Sequence, residues 1–224
     1  MGVSFPAGTI VRTGAERAPL VRRTYALVFV SVLVTIAGAM FALSQPRLLS
    51  AVAAHPFLGM IAVFAPLFLV MSARDVFPVN IGLVFLFTFA MGVYISPVLY
   101  VYGQQHPGLI TQAAMLTIGA FGVLTSYAFM SRRDFSAWGS FFSVGVWVVI
   151  GGILLNVLFF KNPAFRVALA GITVLAFSGL LVFDTWRLRN TYGPDEYVSA
   201  AVNIYLDLLN LFMALLRILG GRRD

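Results

Sequence analysis

Seven long apolar segments, separated by short polar or proline-containing breaks, dominate the sequence. A helix needs about 20 mostly apolar residues to cross the hydrocarbon core of a bilayer, and each segment is long enough to do so. Segments of this length without alternating polarity are unlike barrel strands, and helices satisfy their own backbone groups in lipid. The sequence therefore predicts an all-α integral membrane protein, a bundle of seven transmembrane helices. The predicted spans are residues 25–43, 49–72, 79–100, 109–130, 137–160, 165–183 and 197–219.

The second segment is interrupted by His55-Pro56, so its start is expected nearer Phe57. The bundle as a whole is predicted to occupy residues 25–219, between a cytosolic tail at 1–24 and a short basic tail at 220–224. The apolar segment after the first tail is too long for a cleavable signal peptide and lacks a small-residue cleavage site. Two glycine pairs are expected to allow close helix approach: Gly119 with Gly122, and Gly151 with Gly152.

The composition excludes most other classes of protein. Only 10% of the residues are charged and 60% are hydrophobic, whereas a soluble domain has about 25% charged residues. The net charge of +7 is assigned to lipid headgroups at the membrane surface, so the lipid bilayer and not nucleic acid is the expected partner. Cysteine is absent, which excludes disulfides and thiolate metal sites. With no nucleotide, zinc-protease or hydrolase motif, neither enzymatic activity nor a cofactor is predicted.

The basic residues also orient the bundle, because loops on the cytosolic side are enriched in Lys and Arg. With the N-terminus inside, nine of the 15 Lys and Arg residues lie in inner loops and six in outer ones. If the last segment re-enters instead of crossing, the ratio becomes twelve to three. Both alternatives favour a cytosolic N-terminus, and the path of the last segment stays open.

Two acidic residues lie where charge is costly. Most of the eight acids lie in tails or loops, and Asp195 and Glu196 precede the last segment, where acids favour the start of a helix. Asp184, however, follows the sixth span directly, and Asp207 lies ten residues into the last segment, about 15 Å along a helix. An ionisable group inside a span marks a functional site by default.

Asp207 belongs to a polar stripe on the last segment. Asn203, Asp207, Asn210 and Arg217 fall within an arc of about 80° on a helical projection. Such a stripe cannot face lipid, so the last helix is predicted to lie inside the bundle or to line a water-filled cavity.

Asp207 needs a partner from another segment, because Arg217 is about 15 Å away along the helix, and Asp184 is the candidate. Two carboxylates in a site of low dielectric constant cannot both ionise cheaply, so they are expected to share a proton as a pH-sensitive latch. Calcium could replace the proton, and Arg74 is the nearest loop cation that could compete for the pair. The structural alternative is a buried polar cluster that only fixes helix packing.

The last two segments resemble the C-terminal signature of the Bax inhibitor-1 family, in particular its bacterial members. The resemblance rests on LVFDT at 181–185, AAVNIYLDLLNLF at 200–212 and LLRILG at 215–220. Gly92-Val-Tyr-Ile-Ser-Pro in the third segment also fits the family pattern. The resemblance covers residues 20–221.

This resemblance implies a bundle in which the other six helices surround the last. It also implies a pH-sensitive calcium leak across a bacterial inner membrane, controlled by a di-aspartyl unit that corresponds here to Asp184 and Asp207, with Arg74 as the latch arginine. In some members an arginine at the position of Arg217 pairs with an acid in the second span. Residues 55–72 contain no acid, so that pair is absent or replaced here.

Two other functions stay open. Some bacterial relatives are associated with modulation of a membrane-bound AAA protease, which implies an interaction protein without transport. The tail, residues 1–24, would then carry the effect, because a protease that pulls its substrates needs an unstructured end. A proton-coupled carrier of a small anion is the third alternative, although the sequence has no pair of broken helices typical of such carriers.

Overall fold

The computed structural model describes residues 14–72 and 76–221, and all the regular structure in these ranges is helical. The last turn of α6 continues as a π-helical turn, Asn156–Phe160. The helices are α1 (Gly14–Leu43), α2 (Pro46–Ala54), α3 (Pro56–Ser72), α4 (Val79–Gln105), α5 (Leu109–Met130), α6 (Ser136–Leu155), α7 (Pro163–Asn190) and α8 (Tyr197–Gly221).

Within the described ranges, six helices are long and apolar enough to cross a membrane: α1, α4, α5, α6 with its π turn, α7 and α8. The pair α2 and α3 provides a seventh candidate span if its two helices act together, but they are bent by 97° at their junction. Pro56 at the start of α3 disfavours helical geometry at His55, which has φ −125° and ψ 61°. The prediction of an all-α membrane bundle is confirmed, and the interruption at His55-Pro56 is a sharp bend.

Helices α1 and α7 extend furthest beyond the apolar segments that predicted them, and α4 continues past Tyr100 to Gln105. Helix α1 begins at Gly14, so the latter part of the predicted tail, residues 14–24, is helical, whereas residues 1–13 lie outside the described ranges. Helix α7 continues past Phe183 to Asn190 and carries Arg187 and Arg189 in its last turn. Cations at the C-terminal end of a helix interact favourably with its dipole, so a polar end can continue an apolar helix.

The last helix lies in the interior of the bundle, packed against α1, α4, α5 and α7. Three of its apolar side chains, Ile204, Leu211 and Leu216, are fully buried. The family resemblance implied that all six other helices surround α8. In the part of the chain that the structure describes, α2 and α3 instead pack mainly on α4, and α6 packs mainly on α7. Four helices therefore enclose the last one, and the remainder form an outer layer.

Glycines allow a close approach of the backbones of α1 and α4. A Cβ atom added at Gly92 would overlap the backbone of Thr35, and one added at Gly38 would overlap the carbonyl of Phe89. The glycines expected to have this role behave differently. Gly119, Gly122 and Gly151 face open space, and Gly152 faces only the side chain of Leu169.

Candidate functional site

Asp184 of α7 and Asp207 of α8 meet in the interior of the bundle. As whole residues they are only 7% and 4% exposed, and their carboxyl groups lie within hydrogen-bonding reach of each other. An ionised carboxylate can only accept hydrogen bonds, so a bond between two carboxyl groups requires one proton. The packing of α7 against α8 thus brings together the two acids that the sequence singled out, in an arrangement that can share a proton.

Arg187 supplies the charge partner of this pair. Its Nη1 donates to Oδ1 of Asp184 over 3.2 Å, and its guanidinium lies 4.6 Å from the ring centroid of Tyr192 and 5.4 Å from that of Phe183. Sequence reasoning missed Arg187 because the apolar segment ends at Phe183 and the arginine was assigned to a loop. The available signal was its spacing from Asp184, since residues three apart on a helix are neighbours.

The two carboxyl groups have different surroundings. Asp184 accepts a hydrogen bond from Arg187. The Oδ2 atom of Asp207, in contrast, is buried without a hydrogen-bond partner among the described residues. Since a buried charge without a partner is strongly disfavoured, the arrangement of lowest energy has the shared proton on Asp207 and the negative charge on Asp184, beside the guanidinium.

Tyr192, in the α7–α8 connection, covers the guanidinium of Arg187. Its side chain is buried, and its hydroxyl accepts a hydrogen bond of 2.9 Å from Nδ2 of Asn203. Burial, and next the charge of Asp184, raise the pKa of the Tyr192 phenol above its ordinary value, so the phenol stays neutral at physiological pH. Asn203, predicted as a latch or pore-lining residue, lies at this site as the partner of Tyr192.

The other predicted latch or pore-lining residues lie apart from the pair. The Nδ2 atom of Asn210 donates to the carbonyl of Leu206 in its own helix, over 2.8 Å. The side chain of Arg217 is exposed, and within the described ranges it forms neither an ion pair nor a hydrogen bond. Arg74, the predicted latch arginine, lies outside the described residues.

Helix α1 fixes the end of α7 that carries the site. Arg17 donates from Nη1 to the carbonyl of Leu188 over 3.3 Å and from Nη2 to that of Asn190 over 3.0 Å. The last carbonyls of a helix have no partner within it, so this arginine satisfies groups left open at the end of α7. The hydroxyls of Tyr25 and Thr185 form a further contact of 3.4 Å between the two helices.

The carboxyl groups of Asp184 and Asp207 suit a shared proton better than a resident calcium ion. Calcium takes six to eight oxygen ligands, whereas the described residues contain no group of three or more His, Cys, Asp or Glu side chains that could hold a metal. Of the two carboxyl groups present, one already accepts from Arg187.

Comparison with known proteins agrees with this architecture. A sequence model described as "Inhibitor of apoptosis-promoting Bax1" matches residues 17–224. The chain is 31% identical over 207 residues to "Protein lifeguard 4" of Mus musculus, covering 91% of this chain and 85% of that protein. It is 32% identical over 215 residues to "Bax inhibitor 1" of Schizosaccharomyces pombe, covering 91% and 77%. An "Uncharacterized membrane protein" of Vibrio cholerae is 37% identical over 139 residues, 61% of each chain.

The prediction made from the last two segments is confirmed. This chain is a multi-pass membrane protein and belongs to the Bax inhibitor-1 family.

Proposed function

We propose that this protein is a pH-sensitive calcium leak channel of a bacterial inner membrane, with its N-terminus in the cytosol. The observation that carries the proposal is the buried pair of Asp184 and Asp207, whose carboxyl groups meet between α7 and the interior helix α8. Membership of the Bax inhibitor-1 family adds support through the function that the resemblance implies.

The shared proton acts as the latch. While the proton is present, the two carboxyl groups bridge α7 and α8, and Arg187 neutralises the charge on Asp184. Loss of the proton leaves two carboxylates and one guanidinium in a buried site. Repulsion between like charges and the need to hydrate Asp207 then separate the two helices. The channel is closed at low pH and opens as the pH rises.

The arrangement of arginines supports a cytosolic N-terminus. Arg17 near the start of α1 binds the end of α7, and that end also carries Arg187 and Arg189. These basic groups lie at one end of the bundle, as expected if that end faces the cytosol. The aspartate pair is at this same end, where it would respond to cytosolic pH.

Calcium flux into proteoliposomes, measured with a trapped indicator over a pH series, tests the proposal. Asp207→Asn keeps a hydrogen-bonding side chain that cannot ionise, so we expect low flux at all pH values. Asp184→Asn should also abolish the pH dependence. Asp134→Asn is the matched control, because that acid lies in the α5–α6 loop, where its Oδ1 accepts a hydrogen bond from the backbone N–H of Ser136. A pH profile that is unchanged in both pair variants would exclude the mechanism.

Modulation of a membrane-bound AAA protease receives less support from the fold. Residues 14–24 belong to α1 and Arg17 is bonded to α7, so an unstructured handle would have to lie before Gly14. Deletion of residues 1–13 distinguishes the two functions. Loss of protease modulation with normal calcium flux would favour the interaction protein, whereas normal modulation with altered flux would favour the channel.

A further inference from the structure

A groove of about 930 Å³ lies between α1, α4 and the start of α8, and neither Asp184 nor Asp207 lines it. Several of its lining side chains, among them Ala26, Val30 and Phe77, are exposed, so the groove opens to the outside of the bundle. Helices α1 and α4 touch through Gly38 and Gly92 further along their length. The lining residues place the groove towards the N-terminal ends of both helices.

The lining changes from polar to apolar along the helices. Arg23, Asp195 and Tyr197 lie at the end nearest the α7–α8 connection. The remaining lining residues, apart from Asn80, are apolar: Ala26, Leu27, Val30, Phe77, Ile81 and Phe85. From Arg23 to Val30 the groove follows α1 for about 10 Å, at a rise of 1.5 Å per residue. A ligand that fits this gradient has a charged end at the membrane surface and a hydrocarbon end in the membrane.

The two charges of the groove are opposite and do not pair with each other. Within the described ranges, neither Arg23 nor Asp195 forms a salt bridge, and the guanidinium of Arg23 lies only over the ring of Tyr197, at 5.9 Å. An arginine binds a phosphate through its planar set of donors, and a carboxylate accepts from a primary ammonium group. Both charges are therefore available to one ligand that carries a phosphate and an amine.

We propose that this groove binds a phospholipid with a phosphoethanolamine headgroup. Arg23 binds the phosphate, Asp195 accepts from the ammonium group, and one acyl chain follows Leu27, Val30 and Ile81 into the membrane. The site is independent of the proposed channel function, because it requires neither the aspartate pair nor ion flux. A lipid whose headgroup is purely anionic fits less well, because the headgroup would offer no positive charge to the carboxylate of Asp195.

Native mass spectrometry of the full chain tests this site, with phosphatidylethanolamine, phosphatidylglycerol and phosphatidylcholine of identical acyl chains. We expect phosphatidylethanolamine to bind roughly fivefold better than the other two, the size of effect expected for one ion pair near a membrane surface. Phosphatidylcholine tests the amine contact, because its quaternary ammonium group cannot donate a hydrogen bond.

Three variants and one competitor decide the result. Asp195→Asn should remove the preference for phosphatidylethanolamine, and Arg23→Gln should weaken binding of all three lipids. Arg22→Gln is the control, because that exposed neighbour on α1 does not line the groove and should leave binding unchanged. A thermal melt of each variant establishes that it is folded. Equal binding of the three lipids, a preference for phosphatidylglycerol, or displacement of lipid by glycerophosphoethanolamine without acyl chains would each overturn the proposal.

Discussion

Replacement of Arg187 by glutamine removes the positive charge beside Asp184 and leaves both carboxyl groups of the latch in place. In the structure, Arg187 donates to Asp184 over 3.2 Å, and its guanidinium stabilises the charged form of the pair. Without the guanidinium, removing the shared proton leaves two carboxylates and no counterion. The pair should therefore keep its proton to a higher pH, and the pH midpoint of calcium flux should rise.

The exposure of the two side chains sets the size of this effect. The Arg187 side chain is 33% exposed and that of Asp184 is 10% exposed, so the pair lies between a surface ion pair and a buried one. Hydrogen bonds to charged groups contribute about 1.5–3 kcal/mol, and exposed ion pairs about 0.2–1 kcal/mol. A value near 1.5 kcal/mol corresponds to about one pH unit. We expect the midpoint to rise by roughly that amount.

The assay is calcium flux into proteoliposomes over a pH series, with Arg189→Gln as the matched control. Arg189 also lies in the last turn of α7, but it donates to the carbonyls of Phe129 and Ser131. Its replacement removes a positive charge at the same end of the bundle without touching Asp184. A midpoint that falls in Arg187→Gln, or shifts equally in both variants, would refute a direct role of Arg187 in the latch.

Three further substitutions test the packing around the latch, each read out by a thermal melt unless stated. Gly92→Val forces α1 and α4 apart and should destabilise the protein by about 1–3 kcal/mol, whereas Gly119→Val, which faces open space, should be nearly neutral. Tyr192→Phe loses the bond to Asn203 and should cost about 1 kcal/mol. Because the pKa of the phenol is raised, the variant removes no group that titrates near neutrality, and the pH midpoint should move little. Arg17→Gln frees two carbonyls of α7 and should speed hydrogen exchange in its last turn; unchanged exchange would contradict the capping role.

The apolar segments predicted the spans well but the helix ends poorly. An apolar segment reports where a chain can contact lipid, and it ends where charge begins. A helix can continue past that point if its polar residues find partners, as Arg187 and Arg189 do at the end of α7. The early start of α1 has the same cause, because Arg17 binds a neighbouring helix. These partners come from tertiary packing, which the sequence pattern does not display.

The aspartate pair was predictable because charge is rare in this chain. A carboxyl group deep in an apolar helix requires a partner, and Asp184 was the acid at a matching depth. Which glycines mediate close packing could not be predicted in the same way. Gly92 and Gly119 both lie in apolar helices, and only the arrangement of α1 against α4 distinguishes them.

With one shared proton the charges of the aspartate site add up to neutrality, which would make the site tolerable inside a membrane bundle. Two carboxyl groups, one guanidinium and one shared proton carry no net charge. Removal of the proton leaves a net negative charge at a site where Oδ2 of Asp207 is buried without a hydrogen-bond partner, and water or an incoming cation would stabilise this charge. Tyr192 covers the guanidinium of Arg187, which donates to Asp184, so Asp207 is the carboxyl group without an arginine partner. Under the proposed mechanism, the step that breaks the latch would therefore also create a local attraction for a cation such as calcium, without a preformed metal site.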